Sequence, residues 1–242
     1  MKRIHVLVAI LVAVALAAIF RRRIQDVCAP LVQKLLGRAT VADRLEQFGP
    51  QSRDRLRPFF EAKGVPCPPG KVVLVGMKTE KMLEIYASDG SGEFKFIRSY
   101  PVLAASGKTG PKLREGDLQV PEGLYNVESL NPNSRFHLAL RLDYPNSFDR
   151  QQARSDGRSN LGSNIMIHGA SVSIGCLAMG DEAIEDIFVL AADTGIGNVS
   201  VILAPVDFRV AGSAVDEEDL PPWIDTLYDG IRLELEQLPK ER

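Results

Sequence analysis

The runs Val72-Val-Leu-Val75, Met82-Leu-Glu-Ile-Tyr86 and Phe94-Lys-Phe-Ile-Arg98 decide the class of this fold. Each is four or five residues long and rich in β-branched or aromatic side chains, and the last alternates apolar with basic residues, as strands do. The turn residues Asp89-Gly-Ser-Gly92 join the second run to the third as a hairpin. Further strands are expected at Gly123–Val127, Phe136–Leu142, Asn164–His168 and Val199–Ala204, with one helix near 181–193 among them. Short strands separated by Gly/Pro turns predict a mainly β domain, sandwich or barrel, with a few α-helices.

Outward from this core the character changes twice. Cys67-Pro-Pro-Gly70 marks a boundary, and upstream of it residues 24–69 read as a helical neck or linker. Leu31, Val32, Leu35 and Leu36 have helical spacing; Thr40 is placed to cap a second helix, and Arg55-Leu-Arg-Pro58 to begin or kink a third. Downstream, residues 207–242 hold the acidic stretch Val215-Asp-Glu-Glu-Asp219 and then, after Pro221-Pro222, an amphipathic helix. Its stripe is Trp223, Ile224, Leu227, Ile231, Leu233 and Leu235. That stripe is expected to dock on the domain, with a partner-binding helix as the alternative.

Residues 1–23 are different in kind. Met1-Lys-Arg3 precedes the apolar run Ile4–Phe20, and Arg21-Arg-Arg23 follows it. Two readings stay open: a signal peptide cleaved near Ala15-Leu-Ala17, or an uncleaved signal anchor, which the arginine triplet favours. Cationic residues flank the run on both sides, so charge does not settle its orientation. With 45% hydrophobic residues, 25% charged and a net charge of −2, the rest is ordinary globular sequence. Clustered Lys and Arg with interleaved aromatics are missing, which disfavours nucleic-acid binding. Of the three cysteines, Cys28 and Cys67 are candidates for a disulfide in an oxidising compartment, leaving Cys176 as a thiol; the other pairings stay open.

Chemistry concentrates at Ile165-Met-Ile-His168-Gly169 and Ser173-Ile-Gly-Cys176-Leu-Ala-Met179. The first segment delivers His168 to a strand end, and the second is a tight turn that crowds backbone N–H groups around a thiol. Asp181 is placed to cap the helix that follows, so Cys176 is expected before a helix N-terminus, beside an imidazole, with its pKa lowered. Against this stand an inert apolar cysteine and a histidine that only satisfies a core hydrogen bond. A metal site is disfavoured, because His168 and Cys176 give two ligands and no CxxC or HxxxH pattern gives more.

Three more fragments precede or flank this pair: Gly110-Pro-Lys-Leu-Arg-Glu-Gly-Asp117, Val120-Pro-Glu-Gly-Leu-Tyr125 and Tyr144-Pro-Asn-Ser-Phe-Asp149. Alone they read as turn chemistry. In this order on a mainly β pattern, the four fragments make residues 70–206 resemble the YkuD-type L,D-transpeptidase catalytic domain, and its YafK-like branch most. The resemblance implies a cysteine acyltransferase on meso-diaminopimelate-containing peptidoglycan stem peptides, working through a thioester without a cofactor. Carried onto this chain, Cys176 is the nucleophile and His168 the base. The Gly169 carbonyl orients the imidazole, and the Gly175 and Cys176 amides form the oxyanion hole. Ser173, Tyr144 and Asn146 are candidates for substrate binding. The implied partners are stem peptides, a wall-linked protein and, through the N-terminal segment, the inner membrane; the implied location is periplasmic. Two departures matter. Family members carry Ser-His-Gly-Cys where this chain has Ser173-Ile-Gly-Cys176, and a longer interval than the eight positions between His168 and Cys176. A hydrolase that frees protein or peptide from the wall is therefore an alternative, as is a catalytically silent wall-binding module.

Overall fold

The strand β1 (Lys71–Met77) is buried on both faces, so its apolar run has no solvent side to mark with polar residues. Val72 and Leu74 enter one core; Val73, Val75 and Met77 enter another. The structure, a computed structural model, describes residues 37–215 and 220–239. Around β1 run β2 (Met82–Ser88), β3 (Lys95–Pro101), β4 (Ala104–Ala105), β5 (Gly123–Ser134), β6 (His137–Leu142), β7 (Met166–His168), β8 (Leu177–Ala178) and β9 (Val199–Ala204). They form one mixed sheet in the order β3-β2-β1-β9-β5-β6-β7-β8-β4. Only β1/β9 and β7/β8 pair in parallel; the other pairs are antiparallel.

β5 belongs to both halves of this sheet. Its first residues pair with β9 and its later ones with β6, with register shifts between Val127 and Ser129 and between Asn131 and Ser134. Bulges of this kind let one strand bend from one half-sheet into the other. Leu74 and Ile85 from one half then share a core with Leu140 and Ile167 from the other, as in a sandwich.

Among the described residues, four α-helices are packed onto this frame: α1 (Val41–Lys63), α2 (Ser147–Ser155), α3 (Asp181–Thr194) and α4 (Ile224–Glu236). The expected membrane segment at 1–23 lies outside the described residues, as do Leu31–Leu36 and the acidic residues 216–219. Among the described residues no helix is long and apolar enough to cross a membrane. The second and third helices expected from Thr40 and from Arg55 are one. α1 runs unbroken through Pro50 and Pro58, with Leu56 and Phe60 in the main core. Tertiary packing overrides the two missing backbone donors.

Ion pairs between α1 and α3 reinforce that packing. Arg53 pairs with Asp193 at 2.6 Å, and Arg55 pairs with Asp186 at 2.7 Å and Glu185 at 3.2 Å. Asp186 is wholly buried and also accepts from Tyr100 Oη at 2.8 Å. Removing its main cation leaves a buried carboxylate short of charge, which costs about 3 kcal/mol. Arg55→Met should therefore lower unfolding stability by about that amount in urea titration, whereas Arg57→Met on the exposed face should leave the midpoint unchanged.

Two further corrections concern the ends. α2 is a second helix inside the β domain, where a turn alone was expected. In the C-terminal helix, Ile224, Leu227, Tyr228, Ile231 and Leu235 are buried in the second core, while Leu233 is 61% exposed. The spacing 224, 227, 228, 231, 235 is the helical stripe, and Leu233 falls off it.

Candidate active site

β7 and β8 bring the two halves of the motif together. They pair in parallel with Ile167 opposite Leu177 and His168 opposite Ala178, so Cys176 enters β8 beside the start of β7. Side chains alternate along a strand, which puts Cys176 on the His168 face and Leu177 with Ile167 in the core.

His168 is 2% exposed and its ring stacks on Phe136, with centroids 4.6 Å apart. Its Nδ1 lies 2.6 Å from the Gly169 carbonyl oxygen. A carbonyl only accepts, so Nδ1 carries the proton and Nε2 of the neutral ring holds the lone pair. Burial pushes the His168 pKa below the usual imidazole value, against the opposing pull of that carbonyl. The buried ring is thus kept neutral and oriented, as a base must be.

Gly169 is fixed by its surroundings. A Cβ there would stand 2.7 Å from Phe136 O, 2.8 Å from Asp181 Oδ1 and 3.0 Å from His137 Cβ. The next residue, Ala170, has φ +57° and gives its N–H to Asp181 Oδ1 at 2.8 Å. Asp181 therefore ties this turn, and Gly180, with φ +80°, occupies the N-cap position of α3 in its place. Gly169→Ala should displace the carbonyl from Nδ1. We expect about a hundredfold loss in kcat/KM, with a circular dichroism spectrum like the wild type's.

The half-buried thiol of Cys176 faces the Asn164 carbonyl oxygen at 3.8 Å. Burial pushes its pKa up, opposed by the Met166 backbone amide and the charge of Lys112. This corrects the expectation of a thiolate stabilised by a helix N-terminus. β8 intervenes before α3 begins, and desolvation outweighs the favourable influences. Thiol and imidazole are both held neutral in the free protein.

The turn before Cys176 is stitched by two hydroxyls. Ser173 Oγ accepts the Cys176 N–H at 3.1 Å and donates to the Cys176 carbonyl at 2.6 Å. Ser106 Oγ accepts the Gly175 N–H at 2.5 Å and lies 3.3 Å from Ser173 Oγ. The two amides expected to face an oxyanion thus have side-chain partners here. Ser106 follows β4, far away in sequence, and no local pattern singled it out. Gly175 has φ +112°, the left-handed region that favours glycine; the nearest atom to an added Cβ is Gln119 O at 3.5 Å. Backbone conformation, more than crowding, requires glycine there.

Tyr144 and Asn146 have their polar groups engaged within the fold. Tyr144 is 3% exposed and donates to Leu161 O at 3.0 Å. Asn146 caps α2 through Oδ1 and donates from Nδ2 to Leu124 O. Ser173 does belong to the catalytic turn, as a brace. No group of three or more His, Cys, Asp or Glu among the described residues is arranged to hold a metal ion.

Comparison with known proteins follows the same residues. The YkuD family, the L,D-transpeptidase catalytic domain, matches residues 70–202. The YafK proteins of Escherichia coli strains K12 and O157:H7, named provisionally as L,D-transpeptidases, are each 36% identical over 136 residues. The match covers 55% of this chain and 52% of theirs, so this chain spans about half the length of the curated relatives it matches. Among solved structures, the helical cell shape determining protein Pgp2 from Campylobacter jejuni aligns at 23% identity and a TM-score of 0.45, over 57% of this chain and 48% of that one. L,D-transpeptidase 1 of Mycobacterium tuberculosis aligns at 15% identity and a TM-score of 0.32, over 55% of this chain and 62% of that one.

Proposed function

On the premise that this chain belongs to the YkuD family of L,D-transpeptidase catalytic domains, we propose that it is a cysteine acyltransferase of the bacterial cell wall. Its donor is a meso-diaminopimelate-containing peptidoglycan stem peptide, and it works outside the cytoplasmic membrane. The observation that carries this reading is the imidazole of His168, locked through Nδ1 on Gly169 O and placed on the sheet face that Cys176 shares.

With both groups neutral at rest, proton transfer accompanies attack. His168 Nε2 takes the Sγ–H proton as sulfur adds to the carbonyl carbon of the scissile amide. The tetrahedral oxyanion takes the Gly175 and Cys176 N–H groups from the Ser106 and Ser173 hydroxyls. Its collapse breaks the C–N bond, the leaving amine takes the proton from His168, and a thioester to Cys176 remains. An acceptor then gives its proton to His168 and attacks the thioester; the C–S bond breaks, and the departing sulfur takes that proton back from His168 as the thiol. An amine acceptor forms a new cross-link; water releases the acyl group.

One observation favours water. Ile174, the neighbour of Gly175, is 76% exposed, so an apolar side chain stands at the surface beside the thiol and offers no polar contact to an acceptor. Incubating the full chain with purified meso-diaminopimelate peptidoglycan, intact and with bound protein, and analysing the products by mass spectrometry tests the reading. New cross-links or stem-attached amines establish a transpeptidase. Loss of linked peptide or protein without new bonds establishes a hydrolase. Products identical to those of Cys176→Ala reject both.

A further inference from the structure

Phe136 sits in the hairpin between β5 and β6, where Ser134 pairs with His137 across the turn. His137 has φ +71°, in the left-handed region, and Ser134 Oγ takes the Phe136 N–H at 3.0 Å. The turn stands beside His168 because β6 also pairs with β7. Ala139 lies opposite His168, and the Gly169 N–H donates to Leu138 O at 3.1 Å. The Phe136 ring reaches back over the imidazole, with the two planes 26° from parallel. Among the described residues Phe136 belongs to neither hydrophobic core, so filling the interior does not account for its ring.

Two helices hold this turn. Arg44 of α1 donates from Nε to Pro132 O at 2.9 Å, on the strand that enters the turn. Phe48, one helical turn further along α1, meets His137 edge-on, with ring centroids 4.9 Å apart. From α3, Glu185 Oε1 lies 3.0 Å from His137 Nε2, and Glu185 is itself fixed by Arg55 at 3.2 Å. His137 is thus clamped, and it cannot shift without carrying its neighbour Phe136. α1 lies upstream of residues 70–202, which the family match covers, so half of the clamp comes from outside the matched domain.

The Gly169 carbonyl fixes one atom of the His168 ring, and a single hydrogen bond leaves the ring free to rock about it. A stacked aromatic face fixes the plane. It also covers one side of the imidazole from water, in keeping with the 2% exposure of His168.

We infer that Phe136 is a positioning residue for His168, and that α1 and α3 set it in place through the clamped His137. The inference rests on the proposed function only in taking His168 to be the base. Phe136 transfers no proton; it holds the plane in which Nε2 meets the Cys176 thiol and keeps that ring dry.

The test reads His168 both with and without substrate. The full chain carrying isotope-labelled histidine is titrated by NMR, with His168→Gln to assign the signal among the three histidines. In Phe136→Ala the ring gains water, so its pKa should rise towards the ordinary value of about 6.5. On peptidoglycan, kcat should fall about tenfold with KM within about twofold, and the acid limb of the profile should rise with the NMR titration. Phe136→Tyr, which keeps the stacked face, should return both readouts to wild type. His137→Asn keeps a residue that tolerates the left-handed turn and removes the contacts with Phe48 and Glu185. It should move both readouts the same way, with kcat down about threefold. Cys176 and Asp181, the other ionisable groups placed at this turn, are unchanged in all these variants. An unmoved His168 titration or an unchanged kcat in Phe136→Ala overturns the inference, as does a loss that Phe136→Tyr fails to restore. If the alanine variant does not fold, Phe136→Leu, which keeps the apolar bulk without the flat face, is judged by the same outcomes. A titration that moves in Phe136→Ala and returns in Phe136→Tyr, in a protein whose wild type leaves peptidoglycan unchanged, keeps the positioning role and sinks the acyltransferase reading. Wild-type turnover with kcat and titration unaltered by Phe136→Ala does the reverse.

Discussion

Cys176→Ala should abolish every change that the full chain makes in peptidoglycan, a loss of at least about 10⁴-fold in kcat/KM, while the thermal unfolding midpoint stays within a few degrees of the wild type's. The size follows from the mechanism. Without sulfur there is no thioester, and no other nucleophile stands on the His168 face of the β7–β8 pair. The folding side follows from packing. The Cys176 thiol is half-buried, and its Sγ makes weak polar contacts only, with the Asn164 carbonyl oxygen and the Met166 backbone amide. The braces of the turn, Ser173 Oγ to Cys176 N–H and to Cys176 O, are made by the backbone and survive the substitution. Residual turnover above about 1% of wild type would exclude Cys176 as the nucleophile. Trapping of an acyl adduct on Cys176 by mass spectrometry of the wild type checks the same step from the other side.

Strands were the legible part of this sequence because their signal is local. The run Val72-Val-Leu-Val75 has no polar interruption, and β1 is buried on both faces. β9 was equally plain. β4 and β8 were missed because two residues carry no period; each exists because β4 pairs with β8 and β8 with β7. The α2 helix had a readable start that a turn reading obscured. Asn146 and Asp149 form a capping box, each side chain bonded to the other's backbone N–H. α1 was read as several pieces because proline spacing is visible in sequence, whereas the packing of Leu56 and Phe60 into the core and the pairing of Arg55 with Asp186 are not.

At the site, residue types were legible and environments were not. His168, Gly169, Ser173, Gly175 and Cys176 stand within a short stretch, and the structure assembles them around β7 and β8. Ser106 arrives from 67 positions away to bond with Ser173. The direction of the thiol's pKa depends on how deeply the Cys176 side chain is desolvated, which no spacing encodes. The helix N-terminus expected to lower it begins only after β8, and burial decides the sign.

That sign makes His168 indispensable. A cysteine already ionised at neutral pH would tolerate loss of its base, but a thiol raised by burial does not. His168→Ala should therefore reduce kcat/KM by about 10³-fold and slow iodoacetamide alkylation of Cys176 at pH 7 several-fold. The pH profile gives an independent reading. Burial disfavours the imidazolium, so protonating His168 takes a pH below the usual imidazole value of about 6.5. The wild type should keep its activity through pH 6.5 and lose it only in more acid solution. In His168→Ala that acid limb disappears. What activity remains should climb with pH towards the raised thiol pKa, because hydroxide then replaces the imidazole as the sink for the proton. An alkylation rate in His168→Ala equal to wild type at pH 7 would show that the thiol ionises without the ring. A wild-type acid limb centred above pH 6.5 would show that the free protein stabilises the imidazolium, the opposite of what a ring 2% exposed and stacked on Phe136 should do.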